Sequence, residues 1–278
     1  METKRDRLTL LFPQWQGSGS PHAPLLREGA EQIATLLNPE FARVDLSASE
    51  DSETQAGIRG RKQLLAQLEA ATAILEQTQP HHLFTIGGDC GVDLASASYL
   101  NARHDNLALV WLDAHGDLNT PASSPSGAFH GMILRTLLGE GDADFLDKAF
   151  STFGPEQVFL AGARDFDPPE RAFAERLEHI PIHDLESQPE TLTERIEDKG
   201  FTKLHIHLDL DVLEPTEFVS LGYPTPNGLP LIGLTRLLKT LDKRFEVVGV
   251  TLTEFMPKDK ADLEKVRRIL AVLPSVLA

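Results

Sequence analysis

The chain has 278 residues, 41% hydrophobic and 24% charged, the balance of a folded globular protein rather than a disordered one. Its formal net charge of -16 argues against nucleic acid or an anionic membrane as partner, because both repel an acidic surface. The one cysteine, Cys90, excludes an internal disulfide; the charged start Met1-Glu2-Thr3-Lys4-Arg5-Asp6 lacks a signal-peptide core, and no apolar run approaches the ~20 residues of a membrane helix, so a cytoplasmic location is expected.

In chain order, short apolar runs predict strands at residues 8–12, 41–46, 83–86, 107–113, 157–161, 180–183, 204–209 and 246–252. Longer amphipathic runs predict helices at 24–37, 60–77, 92–103, 130–138, 168–177, 191–199, 231–241 and 260–272. The last helix carries acids early and Arg267-Arg268 late, as the helix dipole favours. Such alternation predicts an α/β fold: a three-layer arrangement with an eight-stranded, mostly parallel sheet and helices on both faces, as one domain over residues 1–278. Pro- and Gly-rich stretches at 12–23, 120–127 and 223–230 read as long surface loops. Ligands of such sheets bind beyond the carboxyl ends of the strands, and every chemically interesting cluster here falls at such an end.

Asp113-Ala114-His115-Gly116-Asp117 follows the apolar run 107–112 and puts three candidate metal ligands into five residues. Alternation aims 113, 115 and 117 the same way, and Gly116 would let the backbone turn around an ion. The plainer alternative is a polar loop with an N-capping Asp. Asp209 and Asp211 end the run 204–208 in the same manner, with Leu208, Leu210 and Val212 on the opposite face. Two buried acids repel each other unless a cation sits between them, so the two clusters together predict a shared metal site.

Gly87-Gly88-Asp89-Cys90-Gly91 reads first as a strand-to-helix turn capped by Asp89, with Cys90 at the level of the aspartates as a possible thiolate ligand. His130 sits at a loop-to-helix junction, where it could shuttle protons. Glu254 lies just past the last strand and could pair with a cationic ligand. His205 and His207 share the face of Asp209 but are read as lying deeper, behind the ligands or as satisfied core residues. His81, His82, His104 and His179 are read as surface residues.

In order and spacing, Gly-Gly-Asp at 87–89, Asp-Ala-His-Gly-Asp at 113–117 and Asp-Leu-Asp at 209–211 with Glu214-Pro215 resemble the arginase (ureohydrolase) family over most of the chain. The resemblance implies an α/β fold with two Mn²⁺ ions and hydrolysis of guanidino compounds. One ion would be held by Asp113, Asp117, Asp209 and the residue at 90, the other by Asp113, His115, Asp209 and Asp211. His130 matches the proton-shuttling histidine and Glu254 the glutamate that meets the guanidinium. Asn119, Ser126 and Asp167 stand where arginases receive the α-carboxylate and α-amino groups of the substrate. A homo-oligomer is also implied.

The family normally has histidine where this chain has Cys90, and asparagine where it has Ala128. A similar cysteine occurs in the branch that hydrolyses N-hydroxyarginine to hydroxyurea, which Asp211-Val212-Leu213-Glu214-Pro215 also resembles. The expected activity is therefore metal-dependent hydrolysis of arginine, or a close α-amino-acid analogue, to ornithine and urea, with N-hydroxyarginine or another small cationic guanidino substrate as the alternative. Metal-bound hydroxide would be the nucleophile, and Asp117, His130 and Glu254 would serve the catalytic steps. A non-catalytic family member and an amide deacetylase on a related fold are the competing readings.

Overall fold

Parallel strands covered on both faces must be apolar on both, and Leu107-Ala108-Leu109-Val110-Trp111-Leu112 is buried at every residue. Alternate side chains of this run serve two cores: Ala108, Val110 and Leu112 face one layer of helices, Leu107, Leu109 and Trp111 the other. A computed structural model describes residues 6–37, 41–46, 53–188 and 190–273. Its strands are β1 (Arg7–Phe12), β2 (Phe41–Arg43), β3 (Thr54–Gln55), β4 (Ile58–Arg59), β5 (His82–Gly87), β6 (Leu107–Leu112), β7 (Val158–Ala161), β8 (Glu178–Ile180), β9 (Lys203–Asp209) and β10 (Glu246–Thr253). Its helices are α1 (Pro24–Leu36), α2 (Arg61–Thr78), α3 (Asp93–Arg103), α4 (Ile133–Leu137), α5 (Ala143–Lys148), α6 (Pro168–Ala174), α7 (Ile182–Ser187), α8 (Glu190–Asp198), α9 (Leu231–Arg244) and α10 (Lys260–Leu270).

Eight strands form one sheet in the order β2-β1-β5-β10-β9-β6-β7-β8, and every pairing in it is parallel. The predicted three-layer α/β architecture is what the chain adopts. Helix α9 shows how the layers hold: Leu234, Leu237, Leu238 and Leu241 are buried at helical spacing, and Lys243 and Arg244 close the last turn. Among the described residues, no helix is long and apolar enough to cross a membrane.

The strand expected at 180–183 is instead β8, ending at Ile180. Pro181 has no N–H for the ladder, and Ile182 opens α7 behind it. The helix expected at 130–138 starts with one 3₁₀ turn, His130–Met132. Neither the small β3–β4 hairpin nor α5 was apparent from periodicity; both are too short to show any.

The sheet order decides where chemistry can occur. Strands β10 and β9 insert between β5 and β6, so four carboxyl ends lie side by side. Ile86 of β5 is level with Leu252 of β10, Thr253 of β10 with Asp209 of β9, and Leu112 of β6 with Leu208 of β9. The residues just beyond these positions are Gly87 to Cys90, Glu254, Asp209 to Asp211, and Asp113 to Asp117.

Gly88 holds the first of these turns close: a Cβ there would stand 1.8 Å from the Gln14 carbonyl oxygen, which also accepts the Asp89 N–H at 2.8 Å. Gly88→Ala should therefore cost about 1–3 kcal/mol by overpacking against backbone. Urea denaturation checks this, and an unchanged midpoint would show that the turn is looser than described.

Candidate metal centre

Each strand end delivers its side chain through a short hydrogen-bonded turn. Asp89 caps the 3₁₀ turn Cys90–Val92, accepting the Gly91 N–H at 2.9 Å as well as Gly17 N–H and Gln14 Nε2, both at 2.8 Å. The capping role expected for Asp89 holds, and it leaves Cys90 facing the sheet end. Asp209 caps the next turn, accepting the Asp211 N–H on Oδ1 at 2.7 Å. Asp113 Oδ1 accepts the His115 N–H at 2.7 Å, and its Oδ2 accepts Trp111 Nε1–H at 3.1 Å. The tight bend in this last segment is at Asp117, with φ 51°, and not at Gly116. Gly116 is needed for space, since a Cβ would lie 2.9 Å from the Phe166 ring.

The donors converge. Among the described residues, three groups have ligand atoms all within 4.8 Å of one another: Cys90, Asp113, Asp117 and His207; Asp113, His115 and Asp211; and Cys90, His130 and Glu254. Asp113 belongs to the first two. Asp209 reaches the Cys90 sulfur with Oδ2 at 3.1 Å. His115 Nδ1 lies 2.9 Å from Asp211 Oδ2 and 3.5 Å from Asp113 Oδ1. Asp113, Asp117, Asp209 and Asp211 are all buried.

Such burial is unfavourable for charge. Burial, then repulsion from Asp211 and Asp113, pushes the Asp209 carboxyl well above the ordinary carboxylate value. Burial and Asp113 do the same to Asp117, and burial and Asp209 raise the Cys90 thiol. Burial would lower the His115 pKa, but Asp211 and Asp113 outweigh it and hold the ring protonated well above its ordinary range. The cluster thus has a deficit of positive charge. Among the described residues, Asp117 Oδ2 and His207 Nε2 are buried without a hydrogen-bond partner, which is what ligand atoms look like before a cation is added. The residues fit a pair of divalent ions: carboxylates and imidazole accept Mn²⁺, while a thiolate donor favours softer ions.

Above the acids lies a cleft of about 140 Å³, lined among others by His115, Asp117, Asn119, Ser126, His130, Asp167, Asp209, Asp211 and Glu254. Cys90 and Asp113 are buried, with donor atoms within 4.8 Å of that of Asp117, which lines the cleft. All eleven residues singled out in the sequence therefore meet at one place. His130 Nδ1 is 3.2 Å from Glu254 Oε1, while Glu254 Oε2 has no partner among the described residues. Burial disfavours the His130 cation, but Glu254 and Asp89 raise its pKa overall. Asn119 Nδ2 donates to Asp167 Oδ2 at 2.9 Å, and Ser123 Oγ donates to Asn119 Oδ1 at 2.8 Å, so the polar end of the cleft is braced.

Several contributors were not recognised from sequence. Glu170 accepts the N–H groups of Leu118 and Asp167, at 2.9 and 2.8 Å, and so ties the two loops together. Tyr223 covers His115 and His130. Arg164 donates to the Asp211 carbonyl oxygen at 3.0 Å and to those of Gly162, Thr225 and Pro226. Tyr223 and Arg164 sit in no pattern that marks them, whereas Glu170 closes the capping box Asp167-Pro168-Pro169-Glu170, a signal the sequence does carry. Asp93 is another: it opens α3, and its carboxylate accepts His205 Nε2, His207 Nδ1 and Thr251 Oγ1 at 2.8, 2.9 and 2.6 Å. His205 and His207 do lie deep, as expected, but each keeps one unpartnered ring nitrogen. His104, expected at the surface, is buried against the His81 carbonyl.

The Arginase family model matches residues 16–273. An arginase of Staphylococcus aureus (strain MRSA252) is 33% identical over 179 residues, 62% of this chain and 59% of that protein, so the match spans less than two thirds of the relative's length. An N(omega)-hydroxy-L-arginine amidinohydrolase of Streptomyces lavendulae is 26% identical over 269 residues, 95% of this chain and 94% of the relative. The crystal structure of Entamoeba histolytica arginase in complex with L-ornithine superposes with a TM-score of 0.86 at 20% identity, covering 98% of this chain and 99% of that one, which shows a shared fold.

Because Asp117, Asp209, Asp211 and the Cys90 thiol are held above their ordinary pKa values, while His115 and its neighbours hold Asp113 below its own, divalent ions must displace protons from the raised groups to bind. Calorimetric titration of metal-stripped protein in buffers of different ionisation enthalpy should show net proton release, and affinity that rises with pH. The sign for stability follows: without metal, folded-state protonation is favoured, so stability is lost as pH rises from the ordinary carboxylate value through the raised ones. Added metal should remove that loss. Ion binding with no proton release would contradict the charge account.

Proposed function

As a member of the arginase family, this chain, we propose, is a metal-dependent amidinohydrolase that cleaves the guanidino group of a small α-amino acid, N-hydroxyarginine ahead of arginine. The observation that carries the reading is the convergence of two donor groups sharing Asp113 beneath one acidic cleft. The cysteine within the first group and the full-length similarity to an N-hydroxyarginine amidinohydrolase favour that substrate. The products would be ornithine and hydroxyurea, or urea from arginine. A homo-oligomer remains the expectation from the family resemblance.

When bound, two divalent ions would lower the pKa of water and make hydroxide available near neutral pH. The metal-holding residues would be Cys90, Asp113, His115, Asp117, Asp209 and Asp211. Glu254, with a free carboxylate oxygen beside the cleft, would accept N–H bonds from the guanidinium and fix its plane. Asp117, through the carboxylate oxygen that does not hold an ion, would take a proton as water adds to the guanidinium carbon. His130, whose pKa is lowered by burial but raised overall by Glu254 and Asp89, would give a proton to the departing amine as the C–N bond breaks. Asn119, Ser126 and Asp167 would meet the α-carboxylate and α-amino groups at the braced end of the cleft. The excess of acids around the mouth would draw in a cationic substrate.

Assay of a guanidino-compound panel with and without chelator tests this reading. Activity should vanish with chelator and favour N-hydroxyarginine over arginine in kcat/KM. His130→Asn should lower kcat about 10²–10⁴-fold. Glu254→Gln should lower kcat/KM about 10–100-fold through loss of a charged hydrogen bond. Inactivity on every guanidino compound, with hydrolysis of acetylated amines, would assign a different reaction to the cleft.

A further inference from the structure

Among the described residues, His207 is a buried imidazole within a donor group that the proposed reaction does not use. Its ring is fully buried and is clamped from two sides. It stacks on Trp111 with ring centroids 3.5 Å apart and planes within 3°, and Nδ1 lies 2.9 Å from Asp93 Oδ2. Asp93 also holds Thr251 Oγ1 and His205 Nε2, so it acts as an acceptor and keeps the His207 proton on Nδ1. That leaves Nε2 as a bare lone pair with no partner among the described residues. A buried acceptor without a donor is unfavourable by about 1–3 kcal/mol, so the arrangement has an unmet need.

A ring nitrogen of His207 lies within 4.8 Å of donor atoms of Cys90, Asp113 and Asp117. With Nδ1 bonded to Asp93, the nitrogen left to serve an ion is Nε2. We propose that His207 Nε2, the Cys90 sulfur and the Asp113 and Asp117 carboxylates form a four-donor site for a divalent ion of intermediate softness, of the Zn²⁺ or Fe²⁺ kind, in preference to Mn²⁺. A carboxylate behind a ligating imidazole fixes its tautomer and raises its basicity, and Asp93 stands in that position. One sulfur, one nitrogen and two oxygens suit Zn²⁺ in four-coordination, whereas Mn²⁺ favours oxygen-rich surroundings. The Trp111 ring stacked on one face and the Asp93 carboxylate at Nδ1 leave the imidazole little freedom to turn away. This deepens the metal-dependent reading and rests on it.

The test uses the full chain stripped of metal and titrated with Co²⁺, Zn²⁺ or Mn²⁺ alone. Wild type should give a thiolate-to-cobalt charge-transfer band and tetrahedral visible bands, and should bind Zn²⁺ at least about tenfold tighter than Mn²⁺. His207→Gln, shown folded by far-ultraviolet circular dichroism, should keep the thiolate band while losing the tetrahedral pattern, with Zn²⁺ affinity falling about 10–100-fold. A folded H207Q protein with unchanged spectrum and affinity would overturn the assignment while leaving a metal site at Cys90. No metal uptake by wild type would overturn both this assignment and the proposed function. Should H207Q fail to fold, zinc X-ray absorption of His115→Ala/His130→Ala decides, because His207 is then the remaining imidazole in the donor groups. Imidazole scattering alongside sulfur supports the site, and sulfur with oxygen alone overturns it.

Discussion

Four carboxylates cannot share a water-poor space at the end of a parallel sheet without positive charge between them. That constraint organises this molecule. Asp113, Asp117, Asp209 and Asp211 are all buried, and among the described residues the imidazole ion-paired with them, that of His115, serves only two of the four. The backbone contributes N–H donors at the Asp113, Asp209 and Asp211 turns, which orients oxygens without neutralising them. A pair of divalent ions would meet the remaining need, and the cleft above the acids would give such ions access to a small molecule.

Placing the acids together is the work of sheet order. Gly88, Asp113, Asp209 and Glu254 are separated by long stretches of chain, yet insertion of β9 and β10 between β5 and β6 makes their strand ends neighbours. The alternating pattern of short and long apolar runs made the layered fold and most strands legible. Chain order alone does not state which strand lies beside which, because the registers depend on packing of helices over both faces. The convergence was inferred from chemistry instead: acids following fully apolar runs required a common partner, and the resemblance to a known family supplied the correspondence of residues.

What stayed hidden has definite physical reasons. Pro181 ends β8 at a point where the apolar pattern continues, so the strand was placed too late. The turn at Asp117 looked like the work of Gly116, because a left-handed φ in aspartate leaves no compositional sign. Glu170, Tyr223 and Arg164 act through contacts between loops far apart in sequence. His207 is the most instructive case. Its alternation with Asp209 was visible, and its depth suggested a satisfied core residue. Only the pairing of Nδ1 with Asp93, on another element, reveals that the opposite nitrogen has no partner among the described residues, beside a donor group that includes Cys90.

Anomalous X-ray scattering from a crystal of the full chain grown with Zn²⁺ or Mn²⁺ tests the central claim most directly. The account predicts two separate peaks at the sheet end, one bounded by Cys90, Asp113 and Asp117, the other by Asp113, His115 and Asp211, with Asp209 alongside both. An intact fold with no anomalous density among these residues, at saturating metal, would contradict it.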